Sequence, residues 1–249
     1  MRFKHFFLLS GLLVVPAYAT KLTFDVRTGA GSQVSDNSSI VQNYGDRVTA
    51  VSMVDGTLTY GYGSDLGFTP NVLASYGPAS VTSTNTVTAC PFNLTDTCVY
   101  LWSTGFGNLT NVIAQAADTA NNGYGQIIVT LTADAGFLVR LASFDLAGWL
   151  NTNRTVGSVT VRDVVANTTV FSLANVVASG ATSTPVNVGN LTARVFEITI
   201  NSSNLANGNG QNVGLDNLIF GQVSEVPEPS TVALMGGALA LAGLLRRRA

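Results

Sequence analysis

The sequence predicts an all-β protein built as a single antiparallel β-sandwich. Three observations predict it. Short runs rich in β-branched and aromatic residues recur along the chain, with turn-forming clusters between them. Only 10% of residues are charged, against about 25% in an average soluble protein, and Ser, Thr, Asn and Gly take the surface positions instead. Helical periodicity is nearly absent, and neither a linker nor a repeat divides residues 20–224.

The expected strands follow in order. KLTFDVR, DRVTAVSM, GTLTYGY and ASVTSTNTVTA occupy the first part of the body, then CVYLWS, GQIIVTLTA and FLVRLASFDL. GSVTVRDV, TTVFSLANVV, LTARVFEITI and VGLDNLIFGQV complete the set. Clusters such as Gly29–Ser32, Asn121–Gly123, Asn151–Asn153 and Asn207–Gly210 supply the turns, because Gly and Asn accept the left-handed backbone that tight turns need. SVTVRD and RVFEITI alternate apolar and polar residues, so each is expected to have one buried and one wet face. Only residues 108–122, NLTNVIAQAADTANN, are expected to form a short helix, and their Asn and Thr content weakens it.

The ends differ from the body. MRFKHFFLLSGLLVVPAYAT places Arg2 and Lys4 before an apolar run from Phe6 to Val15, followed by Ala17-Tyr18-Ala19. That order matches a signal peptide, residues 1–19, cut by signal peptidase after Ala19 once the Sec machinery has exported the chain. Between Thr20 and Ser230, seven Lys and Arg face fourteen Asp and Glu, a net charge near −7. An acidic body without a basic patch excludes nucleic acid as a partner.

The inventory of reactive groups is small. The single histidine, His5, lies within the signal peptide, so the exported chain has no imidazole for a Ser-His or Cys-His mechanism or for a His-ligated metal. Cys90 and Cys98, in ACPFNLTDTCVY, have the even count of an exported disulfide, and Pro91, Asn93 and Asp96 favour a turn between them. The spacing fits no C-x-x-C redox or metal motif. Glycoside hydrolysis needs only two carboxylates, with Glu197 and Asp145 as the residues to test, but no acid pair stands out. No catalytic residue is assigned, and the body is expected not to be an enzyme.

Three aspartates sit inside β runs: Asp25 in LTFDVR, Asp145 in LASFDLAGW and Asp216 in VGLDNLIF. An acid beside apolar residues needs a partner or a cation, and carboxylate oxygens suit calcium. LDNLIF resembles the closing strand of jelly-roll carbohydrate-binding modules. That resemblance implies a jelly-roll-like sandwich and a structural calcium shared between the last and first strands. Two further stretches, TYGYGSDLGF and YLWSTGFGN, interleave aromatic rings with Gly, Ser and Asn. Sugar faces stack on such rings, which makes Tyr60, Tyr62, Trp102 and Phe106 candidates for glycan contact. The alternative is that these rings fill the sandwich core, as is expected for Trp149.

The C-terminus reads VPEPSTVALMGGALALAGLLRRRA. Residues 231–245 form a short apolar segment, about 1.5 Å per residue as a helix against some 30 Å of hydrocarbon. Arg246, Arg247 and Arg248 resist translocation and stop the chain there. Pro227 and Pro229 keep the preceding segment extended. Residues 225–249 resemble the PEP-CTERM sorting domain of Gram-negative bacteria. The resemblance implies that Pro227, Glu228 and Pro229, within 226–230, are the recognition element and that 231–245 is a transient transmembrane helix in the inner membrane. It further implies that an exosortase removes the tail and delivers the body to the cell surface or extracellular matrix, commonly alongside exopolysaccharide and biofilm. Three roles remain open for residues 20–224: a non-enzymatic surface protein that binds polysaccharide, a secreted carbohydrate-active enzyme, or a structural protein that self-associates through an edge strand.

Overall fold

In a computed structural model, the structure describes residues 19–25, 36, 40, 44–49, 64–77, 99–115, 126–202 and 213–225. Twelve strands run through them: β1 (Thr20–Leu22), β2 (Ser64–Leu66), β3 (Val72–Tyr76), β4 (Val99–Trp102), β5 (Val112–Gln115), β6 (Gln126–Ala133), β7 (Phe137–Gly148), β8 (Arg154–Asp163), β9 (Thr168–Ala178), β10 (Thr184–Ala193), β11 (Val195–Asn201) and β12 (Val213–Ser224). No helix occurs among the described residues, and none there is long and apolar enough to cross a membrane. All pairings are antiparallel.

The strands form two sheets. One is seven-stranded, in the order β10-β7-β12-β1-β2, with β5 also pairing β12 and β4 pairing β5. The other is five-stranded, in the order β3-β6-β11-β8-β9. Their inner faces share one apolar core. Phe144 and Leu146 of β7 and Leu215, Leu218 and Phe220 of β12 meet Val159 and Val161 of β8 and Phe196, Ile198 and Ile200 of β11, all of them inaccessible to solvent.

Periodicity explains this packing. RVFEITI buries Phe196, Ile198 and Ile200 and leaves Glu197 and Thr199 on the other face, as the alternation required. SVTVRD buries Val159 and Val161 in the same way. LTARVFEITI is not one strand, however. It breaks at Arg194 between the end of β10 and the start of β11, which lie in different sheets.

The helix expected from residue 108 is absent from the described part of that segment. Val112–Gln115 is β5, registered against both β4 and β12. Local composition is overridden here by burial: Val112 and Ile113 are β-branched, wholly buried, and gain cross-strand partners a helix would not supply. Residues 116–122 lie outside the described part. So do residues 50–53 of DRVTAVSM, all of GTLTYGY and ASVTSTNTVTA, the cysteine pair, the signal segment through residue 18, and residues 226–249.

Candidate functional site

The outer face of the seven-stranded sheet carries a second apolar cluster. Phe144 and Leu146 point into the main core, so Asp145 and Ala147 point outward, and on β12 Gly214 and Asp216 do the same. Tyr100, Phe106, Leu109, Val112, Ala114 and Ala147 pack there, with Trp102 and Trp149 half-buried against them. Two edge-to-face contacts link three rings: Tyr100 to Trp102 at 6.2 Å and Trp102 to Trp149 at 6.0 Å between centroids. Such pairs stabilise by about 0.5–1.5 kcal/mol each beyond burial.

Two glycines make the cluster possible. At Gly214 a Cβ would lie 2.6 Å from a methyl of Val112 and 2.9 Å from the Phe106 ring. Gly105, with φ +85°, passes beneath Trp149, and a Cβ there would sit 3.3 Å from the indole. The indole nitrogen of Trp102 is buried and meets no acceptor among the described residues.

The structure sorts the glycan candidates. Trp102 lies at the accessible rim of the cluster. Phe106 does not: it is 1% exposed, and its ring fills the space that Gly214 leaves. It is a packing residue, which corrects the expectation of a sugar-stacking role. Trp149 packs on this outer cluster, not in the main core between the sheets. Tyr60 and Tyr62 lie outside the described residues.

Beside the aromatic cluster the three aspartates come together. Asp216 stands directly opposite Asp145 across the β12–β7 pair. Asp25, just past β1, lies close enough to Asp216 to act on its charge. Asn217 interrupts β12 with a left-handed backbone, φ 53°, where the register shifts. Its backbone N–H donates to Asp216 Oδ1 at 2.6 Å, and its side-chain amide donates to Asp145 Oδ2 at 2.8 Å. Asn111, also left-handed with φ 57°, donates its amide to Asp25 Oδ1 at 2.7 Å. Asn is among the few residues that adopt this conformation readily.

Burial dominates the electrostatics. Asp216 is 4% exposed, and desolvation lifts its pKa from 3.8 to about 8. The Asn217 N–H opposes that shift, the neighbouring Asp25 and Asp145 charges add to it, and Lys21 opposes it. Burial therefore favours the protonated form of Asp216.

The calcium expectation fares differently. The aspartates gather on one face, yet among the described residues no group of three acids closes into a metal-holding set. Asp145 and Asp25 each direct an oxygen at an asparagine amide. As arranged, the residues do not fit the cation. Glu197 and Asp145 likewise cannot work as a catalytic pair. Glu197 is on the outer face of the five-stranded sheet and Asp145 on the outer face of the seven-stranded one, with the core between them.

At the ends, Ala19 is exposed and immediately precedes β1, while Ala17, Cys90, Cys98, Pro227–Pro229 and Arg246–Arg248 lie outside the described residues. Residues 225–249 match the PEP-CTERM protein-sorting motif. No curated protein matches the chain.

Proposed function

We propose that this exported protein is a non-enzymatic component of the extracellular matrix whose sandwich binds exopolysaccharide through the Trp102 face. The premise is secure: residues 225–249 are the C-terminal sorting signal of exosortase substrates, so the chain is exported, held briefly in the membrane and sorted to the cell surface. On this reading signal peptidase acts after Ala19, the host is Gram-negative, and the Cys90–Cys98 disulfide forms on export. Loss of the only histidine with the signal peptide supports a binding role over catalysis.

The observation that carries the reading is the half-buried Trp102–Trp149 pair on the outer sheet face. It offers partly exposed ring surface on which a sugar face can stack, and Asn111, which precedes Trp102's strand partner Val112, and the Asp25 carboxylate it contacts supply hydroxyl partners. The strand orders β1-β12-β7-β10 and β6-β11-β8-β9 support a jelly-roll-like topology, an architecture shared by many lectin domains.

Affinity electrophoresis in gels containing the host's own exopolysaccharide tests this. The exported protein should be retarded, and Trp102→Ala should lose at least most of the retardation while melting as a folded protein. Equal mobility of wild type with and without polysaccharide would overturn the proposal. One observation favours the enzymatic alternative: Asp216 faces Asp145 across the β12–β7 pair, two carboxyls side by side of the kind glycoside hydrolysis uses. Product release from the polysaccharide that Asp145→Asn abolishes would establish that alternative.

A further inference from the structure

We infer that, while the sorting signal holds the chain in the membrane, the sandwich stands on the lipid surface through one end, its base, with Phe68, Arg47, Arg194 and Val165 against the phospholipid headgroups. The contact rests on the sorting signal and is independent of polysaccharide binding.

The chain leaves the fold at this base. β12 ends at Ser224, and the Glu225 N–H donates to the Gly136 carbonyl, which fixes the exit beside the β6–β7 turn. β1 pairs antiparallel with β12, so the chain also enters from that end. Only residues 226–230 separate Glu225 from the apolar segment 231–245. Five residues, even fully extended, reach at most about 18 Å. That tether selects the occupant, because it keeps the base within this reach of the bilayer that holds the segment.

The surface there suits a headgroup layer. Along the base the strands of the five-stranded sheet follow in the order β3-β6-β11-β8-β9. Phe68, in the connection from β2 to β3, is 40% exposed. Next comes Arg47, whose backbone N–H donates to the Val72 carbonyl and whose guanidinium donates to both oxygens of Asp134, just after β6. Exposed Arg194 precedes β11. Val165, in the β8–β9 turn, is 67% exposed. Apolar side chains at either side reach toward the acyl boundary, and guanidinium groups between them donate to phosphate oxygens. Lys21, Arg140 and Arg162 lie in register with Ile219, Gly221 and Glu197, in the half of the sheets nearest the base. With Arg47 and Arg194 they offset the carboxylates of that half, so an anionic bilayer meets no net repulsion there.

The aromatic cluster stands at the opposite end. The twelve residues of β7 run from the β6–β7 turn to Gly148, immediately before Trp149. At ~3.3 Å per residue, β7 sets Trp149 roughly 35 Å from the base. Trp102, 6.0 Å from Trp149 between ring centroids, is held away from the lipid with it.

Fluorescence quenching tests this. The exported but unprocessed chain, its arginine tail intact, is inserted into vesicles of phosphatidylethanolamine and phosphatidylglycerol that carry a nitroxide quencher on their headgroups. Trp102 and Trp149, the only native tryptophans, report the far end, and wild-type emission should be unchanged. Phe68→Trp and Val165→Trp should each lose most of the emission they add. Added emission that survives in either variant would overturn the inference: the sandwich would then hang free of the lipid or dock only on the processing enzyme, which these vesicles lack. Wild-type emission quenched as strongly as that of the variants would overturn it too, because the far end would then lie on the bilayer. Should a variant melt early, amide exchange in wild type decides. Exchange of Asp134–Gly136 and Val164–Asn167 that is slower in vesicles than in detergent micelles supports the contact, and equal exchange refutes it.

Discussion

Asp216 is the residue on which the candidate site turns. An acid whose folded pKa lies near 8, against 3.8 in the unfolded chain, binds a proton in the native state that the unfolded state has released. Between about pH 4 and pH 8 the native state therefore holds more protons, and its stability falls as pH rises, by up to about 1.4 kcal/mol per pH unit for one group. Below that window both states are protonated and the effect vanishes. Asp216→Asn should abolish this slope, so the difference in melting temperature between variant and wild type should grow steadily from pH 4.5 to pH 8. A parallel pair of curves would show that Asp216 ionises normally. A melting temperature that rises with added calcium in wild type, but not in Asp216→Asn, would show that the carboxylates rearrange around a cation.

Gly214 sets the neighbouring packing at the same scale. With its Cβ position 2.6 Å from Val112, Gly214→Ala overfills the aromatic cluster. A loss of about 1–3 kcal/mol is expected, measured by denaturant unfolding, with a change in tryptophan fluorescence because Trp102 and Trp149 sit in that cluster. An unchanged midpoint and spectrum would mean that Phe106 and Val112 move aside freely.

At the scale of elements, β11 is the centre of the five-stranded sheet, flanked by β6 and β8. Phe196 projects from it into the shared core with no exposure. Phe196→Ala should cost about 3–5 kcal/mol, read as a lower denaturant midpoint with an unchanged slope. A loss under about 1 kcal/mol would mean that the sheets close over the cavity. β5 makes the complementary point. Its residues look helical in isolation, but one edge pairs β4 and the other β12, so it folds as a strand because two neighbours satisfy its backbone.

For the whole molecule, the sorting signal governs the mature form. Its action predicts a C-terminus near Pro227–Ser230 and the loss of Arg246–Arg248, checked by peptide mass spectrometry of envelope and medium fractions. Intact arginines on protein retained in the inner membrane would show that the signal is not used.

The sequence alone determined the all-β class, the acidic histidine-free body, most strands that are long and regularly patterned, and the sorting signal. These follow from local chemistry: alternation dictates which face of RVFEITI is buried, and Pro-Glu-Pro, an apolar segment and three arginines act as a contiguous linear motif. Only the tertiary structure decided what depends on distant partners. It turned Val112–Gln115 into a strand, split LTARVFEITI between two sheets, buried Phe106 beneath Gly214, and brought Asp25, Asp145 and Asp216 to one face. It also revealed Asn111 and Asn217, whose left-handed backbones and amide contacts carry no signature in a chain so rich in asparagine. Pairing register and burial join residues far apart in the chain, and no local pattern encodes which of them will meet.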